Sequence, residues 1–401
     1  MSSMTSIHPS YSLLRFQQSR LKNAEFGADV VGAGSAELDF APAPAITQHL
    51  KSIVTRGELG YALPRDFFDL FEATSNWHKQ TMLWRLQPEN LVAAPDITTA
   101  FSFVLMTLIC PGAPVLVPCP GYPKLRHIAV ELGFEVLEYG VRRTPTGYTY
   151  ALDEIEEHLR GRKQGLVVLL HPHNPTGYLA QKAELEELGK IVDRYGALVF
   201  SDEIHAPLWL DNHPHVPYVS VSDVTQQHTV TALSSSKAWG LSGVRVTQIA
   251  LPDGEVGKRA KRGALSLLGS SVSALGVQAS IAAYKESDSW LAELRTRLRA
   301  NRALITSFAA ESTLISDFVP PGSSFLAWIK LGIETGAETA SEFLQHRARL
   351  GVLGAAEFGS LSTAWFRLNF GSNLETVRRC LSLIARMGNI NHDVLTYSDQ
   401  D

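Results

Sequence analysis

Residues 166–177 read LVVLLHPHNPTG, and the fold can be worked outward from them. Leu166 to His171 forms an apolar run that gives way to the turn-forming Asn174-Pro175-Thr176-Gly177. A Val/Leu run without polar alternation is what a strand buried on both faces of a parallel sheet presents. The pattern recurs downstream. Leu198 to Ser201 runs into Asp202-Glu203-Ile204-His205, and Thr229 to Leu233 runs into Ser234-Ser235-Ser236-Lys237. Val115 to Cys119, Glu135 to Tyr139 and Val244 to Leu251 read as further strands. Between two of these, Ala183 to Arg194 sets Leu185, Leu188 and Ile191 on one helical face and Glu184, Glu186, Glu187 and Lys190 on the other. Strands alternating with amphipathic helices predict an α/β domain with a mostly parallel sheet.

Near Ser271 the texture changes. A helix-rich stretch runs from Ser273 to about Ala310. Phe325 to Leu331 then reads as a strand, Ala340 to Arg349 as a helix, Phe366 to Phe370 as a strand and Leu374 to Met387 as a helix. From Asn389 the sequence reads as a loose tail. The expected organisation is a segment 1–45 that joins the smaller domain, a large domain over 46–280, and a smaller α+β domain over 281–401.

Composition narrows the function classes. At ~150 residues per domain, 401 residues suggest two or three domains. Apolar residues make up 45% and charged residues 19%, which suits a folded soluble protein. Lys plus Arg is 36 against 40 for Asp plus Glu, so the net charge of −4 gives no reason to expect a nucleic-acid partner. Cys110, Cys119 and Cys380 are too few and scattered for a disulfide framework, which points to a reducing, cytoplasmic setting. The N-terminus lacks the apolar core of a signal peptide. The most apolar stretch, Ala100 to Pro118, is broken by Ser102, Thr107, Pro111, Gly112 and Pro114, so it reads as a buried helix and strand and no membrane partner is expected. Gly32-Ala33-Gly34 lacks the third glycine of a dinucleotide loop. His171, His173, Asp202, His205, His213 and His215 are ligand types without a metal-site spacing, so no metal is expected.

In a doubly wound sheet, ligands bind outside the carboxyl ends of the strands. Here those ends carry an amide, a carboxylate, and a serine-rich turn with a lysine. That is the set a pyridoxal 5'-phosphate site needs. A lysine forms the Schiff base, a carboxylate keeps the pyridine nitrogen protonated, a donor reaches the phenolate oxygen, and hydroxyls, amides and an arginine hold the phosphate.

The segments Asn174-Pro-Thr-Gly177, Asp202-Glu-Ile-His205, Ser234-Ser-Ser-Lys237 and Arg367-Leu-Asn-Phe-Gly371 resemble, in order, those of fold-type I pyridoxal-phosphate enzymes of the class I/II aminotransferase superfamily. Within it the chain is most similar to the MalY/PatB-like cystathionine β-lyase, or carbon–sulfur lyase, branch. Ala36-Glu-Leu-Asp-Phe40 resembles that branch's Ala-Asp-Met-Asp-Phe, Gly60-Tyr61 its Gly-Tyr, and His205 stands where ordinary aminotransferases carry Tyr.

The resemblance implies a large domain with a mostly parallel sheet of the seven-stranded type, a small α+β domain, and a homodimer with shared active sites. It also implies roles. Lys237 is the Schiff-base lysine and the base for the Cα proton. Asp202 pairs with the pyridinium, Asn174 reaches the phenolate oxygen, and Tyr122 stacks on the ring. Ser234, Ser236, Arg245 and the helix start at Ile97 and Thr98 hold the phosphate. Tyr61 reaches the phosphate of the neighbouring subunit, and His205 lies near the phenolate oxygen or shuttles a proton. Arg367 clamps the substrate carboxylate, with Gly34 and Ala36 beside it. Asp96 stands where the family has a small residue, so it must point away from the phosphate or be neutralised.

Other departures are Trp239-Gly240 where the branch often has Phe-Asn, Arg245 where it often has Lys, and Gly34 where it usually has Trp. The last suggests room for a bulky cysteine S-conjugate of the kind secondary metabolism makes. The expected reaction is β-elimination of such a conjugate to thiol, pyruvate and ammonia. The same residues would serve an aminotransferase or an oxidative deaminase or decarboxylase, and the fold also occurs in non-catalytic regulators.

Overall fold

The computed structural model describes residues 21–388 apart from 163, 269–270 and 361, and of 264–267 the backbone alone. The tail expected from Asn389 lies outside the described residues. The chain forms two compact units. One is Pro42–Asn174 with Tyr178–Leu291; the other is Met1–Ala41, Pro175–Gly177 and Ala292–Asp401.

The first unit is built on eight strands: β1 (Leu91–Ala94), β2 (Val115–Cys119), β3 (Val136–Thr144), β4 (Gly147–Tyr150), β5 (Leu166–Leu170), β6 (Leu198–Asp202), β7 (Thr229–Leu233) and β8 (Thr247–Ala250). Their spatial order is β1-β8-β7-β6-β5-β2-β3-β4. The core from β7 through β3 is parallel, while β8 and β4 join antiparallel. Every residue of β5, β6 and β7 is buried, which is why β5 reads as an unbroken apolar run and β6 and β7 as mainly apolar ones in which Thr, Ser and the terminal Asp202 are also buried. Two strands were not expected from the sequence. β1 is the short Leu-Val-Ala-Ala, and β4 is Gly-Tyr-Thr-Tyr at the far edge.

Among the helices of this unit, α1 (Ile97–Leu108) follows β1 and buries Phe101, Phe103, Val104 and Leu105 in the sheet's core. α2 (Lys182–Arg194) buries the expected Leu185, Leu188 and Ile191. The helix-rich stretch expected from Ser273 to about Ala310 is two helices, α3 (Ala274–Glu286) and α4 (Asp288–Glu311). Ser287 ends the first with its hydroxyl donating to the Ala282 carbonyl at 3.1 Å, and the Leu291 amide bonds back to the Ser287 carbonyl.

The second unit carries a four-stranded antiparallel sheet: β9 (Ile315–Phe318), β10 (Leu326–Leu331), β11 (Leu353–Gly354) and β12 (Trp365–Asn369), in the order β9-β10-β12-β11. α5 (Ala340–Ala348) and α6 (Leu374–Ala385) accompany it. The N-terminal segment belongs here. Val31–Gly32 pairs in parallel with Leu350–Gly351, and the Asp39 amide bonds to the Gly371 carbonyl. Lys22 and Asp39 form an ion pair at 2.7 Å with side chains 1% and 2% exposed. Among the described residues no helix is long and apolar enough to cross a membrane.

Candidate active site

Strand register decides which loops meet. Leu170 pairs with Asp202, and Asp202 with Ala232. Leu233 pairs with Gln248 across the antiparallel β7–β8 junction, and Thr247 with Ala94 across β8–β1. β2 runs parallel to β5 from Val115 opposite Leu166. The segments that follow β1, β2, β5, β6 and β7, and the one that precedes β8, therefore leave the same edge of the sheet. This edge gathers Ile97, Thr98, Tyr122, Asn174, Asp202, His205, Ser234, Ser236, Lys237 and Arg245, far apart in sequence, into one group.

At one end of that edge, Asp96 caps α1. Its carboxylate accepts from the Thr99 amide at 2.8 Å and the Thr98 hydroxyl at 2.6 Å. Its other oxygen pairs with the Arg245 guanidinium. The neutralisation expected of Asp96 is thus supplied by Arg245. Burial pushes the carboxyl up, but the Thr98 hydroxyl, the Thr99 amide and the guanidinium outweigh it and hold the group down to about 2. The Ile97 and Thr98 amides of the first helical turn have no acceptor within the helix. The Ser234 and Ser236 hydroxyls lie 2.9 Å apart, Ser234 also donating to the Val246 carbonyl at 2.8 Å.

The lysine loop is held stiffly. The Ser235 and Ser280 hydroxyls bond at 2.7 Å. The Trp239 and Leu241 amides close turns onto the Ser235 and Ser236 carbonyls. Trp239 is fully buried, with its ring against Trp77 and Tyr284 at centroid distances of 5.6 and 5.4 Å. Trp239 therefore anchors the loop from beneath. Lys237 is half-buried. Asp202 is buried and accepts from the Ile204 amide at 3.2 Å. Burial raises its carboxyl to about 7, although the Ile204 amide and the Lys237 charge pull it down. Asn174 and Tyr122 are half-buried, Tyr122 packing on the sheet's core, and His205 is buried.

Behind Asp202 lies a group that motif reading missed. Glu203 is fully buried and accepts three hydrogen bonds: from the Ser201 hydroxyl at 2.8 Å, the Tyr218 amide at 3.0 Å and His215 Nε2 at 2.7 Å. The His215 ring lies 4.3 Å from that of His171, whose Nε2 donates to the Val216 carbonyl at 3.1 Å. These two of the histidines considered as metal ligands are thus engaged in a hydrogen-bonded cluster. Glu203 is visible beside Asp202 in the sequence, but nothing local announces a partner twelve residues on.

The second unit holds the remaining set. Arg367 is buried on β12; it donates to the Gly34 carbonyl at 3.0 Å and lies over the Phe358 ring at 4.8 Å. Asn369 holds the same N-terminal segment, donating to the Ser35 and Glu37 carbonyls at 2.6 and 2.8 Å. Ala36 sits between those two anchors. The room expected at Gly34 is not there. A Cβ on Gly34 would meet Glu25 Oε1 at 2.4 Å and the Phe26 ring at 2.9 Å. Phe26 and Glu25 thus occupy the space beside the Gly34 Cα, and Glu25 is fixed there by the Ser35 amide and hydroxyl, both at 2.7 Å. Tyr61, in the first unit, is 90% exposed.

Residues 28–384 match the model of the family "Aminotransferase class I and II". The chain is 29% identical to the cystathionine β-lyase PatB of Bacillus subtilis over 86% of this chain and 88% of that one. It is 28% identical to a cystathionine β-lyase of Corynebacterium glutamicum over 91% and 95%. A crystal structure of a candidate pyridoxal-phosphate-dependent β-cystathionase from Corynebacterium diphtheriae superposes with a TM-score of 0.86 at 25% identity, over 94% of this chain and 97% of that one.

Proposed function

The chain belongs to the aminotransferase class I and II family and is a pyridoxal-phosphate-dependent enzyme; from that premise we propose that it cleaves the carbon–sulfur bond of a cysteine S-conjugate by β-elimination. What supports this is the near full-length similarity to two cystathionine β-lyases, with the strand-end residues that such chemistry needs assembled here.

The donor set fits the cofactor. A buried acid within electrostatic reach of a lysine suits a protonated pyridine nitrogen beside a Schiff-base amine. Free first-turn amides, two serine hydroxyls and an arginine suit a phosphate. When bound, the cofactor supplies an aldehyde for the substrate amine and a ring that spreads the electron pair left at Cα.

The protein's own residues do the rest. With the cofactor bound, Asp202 would keep the proton on the ring nitrogen, Asn174 would donate to the phenolate oxygen and Tyr122 would pack on the ring. Ser234, Ser236, Arg245 and the Ile97 and Thr98 amides would hold the phosphate. Arg367 binds the substrate carboxylate through its fork of donors. Lys237 Nζ takes the Cα proton. The electron pair of that C–H bond expels the β-sulfur as thiolate, which takes up a proton to leave as thiol. His205 moves protons near the phenolate oxygen. Addition of one water balances the release of pyruvate and ammonia.

The active form is a homodimer in this reading. Tyr61 is 90% exposed, Leu59 60% and Phe68 62%, an apolar flank suited to a second copy. The filled space at Gly34 removes the argument for a bulky substrate, so S-conjugates of ordinary size are the substrate class.

Incubating the cofactor-loaded protein with cystathionine and with S-benzylcysteine tests the reading. Thiol and pyruvate in equal amounts, over many turnovers, are expected. Stoichiometric conversion of the cofactor to its amino form without pyruvate would make the protein an aminotransferase instead.

A further inference from the structure

Glu203 has no part in the reaction as described, yet it is the most fully enclosed carboxylate next to the site. Its three donors come from different segments: Ser201 from β6 just before it, and the Tyr218 amide and His215 from the loop beyond it. Both Glu203 and His215 side chains are 0% exposed. Three donors converging on two carboxylate oxygens stabilise the charged form. His215 Nδ1 and His171 Nδ1 are buried without a hydrogen-bond partner among the described residues. That fits two neutral rings, each bearing its proton on Nε2, where His215 donates to Glu203 and His171 to the Val216 carbonyl. Above about pH 7, where Glu203 ionises against the burial that raises it, the cluster therefore carries a negative charge that neither neutral ring cancels.

That charge sits one residue from Asp202, whose backbone is fixed on both sides. Its carbonyl accepts from the His171 amide, and the Glu203 amide bonds to the Ala232 carbonyl. Successive residues of an extended strand point to opposite faces, so Asp202 can face the site while Glu203 faces the cluster.

We propose that Glu203, oriented by Ser201, His215 and the Tyr218 amide, is a positioning residue whose buried charge makes Asp202 a stronger partner for the cofactor's ring nitrogen and so keeps that nitrogen protonated across the working pH range. The inference rests on the assignment of Asp202 as the ring-nitrogen partner. The titratable groups facing Glu203 are Asp202, His171 and His215, with Lys237 beyond Asp202 and the Tyr218 hydroxyl turned away onto His228 at 3.0 Å. Glu203 raises the proton affinity of Asp202 and Lys237 lowers it. Burial pushes Glu203 itself up to about 7 against the pull of His171, Ser201 and Tyr218. The effect is therefore largest above pH 7.

The test reads the 15N resonance of the ring nitrogen in protein loaded with 15N-labelled pyridoxal phosphate, titrated from pH 6 to 9. Glu203→Gln keeps the shape and the acceptor for Ser201 and Tyr218 but removes the charge. The nitrogen should lose its proton at least about one pH unit lower than in the parent, a tenfold loss of proton affinity. Cofactor retention and far-ultraviolet circular dichroism should be unchanged. A titration superimposable on the parent's would overturn the proposal. Asp202→Asn separates the two layers. If it leaves the nitrogen's titration unchanged, the Asp202 assignment fails; if it shifts while Glu203→Gln does not, only the Glu203 role fails. Should Glu203→Gln not fold, Ser201→Ala deletes one donor to the same carboxylate and must move the titration in the same direction, and no movement there is equally fatal.

Discussion

Replacing Asp96 should weaken the protein and tighten its hold on the cofactor at once. The carboxylate caps α1 through Thr98 and Thr99 and pairs with Arg245. Asn caps a helix about as well as Asp, so Asp96→Asn keeps that contribution. It loses the charge at the helix N-terminus, worth about 0.3–1 kcal/mol, and a partly exposed ion pair worth about 0.2–1 kcal/mol. A destabilisation of about 1 kcal/mol is expected, and about 2 kcal/mol for Asp96→Ala, which loses the cap as well.

The cofactor effect has the opposite sign. One helical turn spans about 5.4 Å, and at an effective dielectric constant of about 20 two unit charges that far apart interact by about 3 kcal/mol. Pairing with Arg245 cancels most of the repulsion between Asp96 and a phosphate on that turn. A remainder of about 1 kcal/mol is roughly a fivefold gain in affinity on going to Asn. Denaturant melts of the cofactor-free protein and fluorescence titration with pyridoxal phosphate measure the two effects separately. Equal or weaker cofactor binding by a folded Asp96→Asn would refute the placement of the phosphate at the start of α1. A pH signature accompanies it. The Asp96 pKa is depressed from 3.8 to about 2. Its contribution to stability is therefore complete above the unfolded value and lost as pH falls from about 4 to about 2. Asp96→Asn should flatten the stability curve in that window.

Two further outcomes are expected in the second unit. Asp39→Asn strands the buried Lys22 ammonium and should cost about 3–5 kcal/mol, whereas the double change Lys22→Met with Asp39→Leu should recover most of it; chemical denaturation of the three proteins decides this. Gly34→Ala places a Cβ against Glu25 and Phe26 and should cost about 1–3 kcal/mol, part of which a Phe26→Ala background returns; a full-size cost that persists in that background would mean Phe26 does not fill the space.

Strands at the centre of the large sheet were legible because burial on both faces writes a continuous apolar run. β1 and β4, which end the strand order, were not, since four residues such as Gly-Tyr-Thr-Tyr carry no period long enough to read. The break at Ser287 was signalled only by Ser-Asp, a capping pair easily passed over inside a long helical stretch. The strand-end residues Asn174, Asp202 and Ser234 to Lys237 were legible because each sits at or within a few residues of the end of its strand. The pairing of Arg245 with Asp96 resolves a conflict that the sequence posed without answering it. The closure of the Gly34 space by Phe26 depends on the one-turn helix Leu21–Ala24 and the residues after it folding back onto Gly34, which no local pattern encodes. Glu203 and His215 illustrate the same limit, since two buried residues twelve apart become one unit only when the loop between them folds.

Reduction of the cofactor-loaded protein with borohydride, followed by peptide mass mapping, tests the central claim most directly. The added mass of the reduced cofactor should fall on Lys237 alone, and Lys237→Ala should carry none. Modification of a different lysine, or undiminished labelling of Lys237→Ala, would contradict the account.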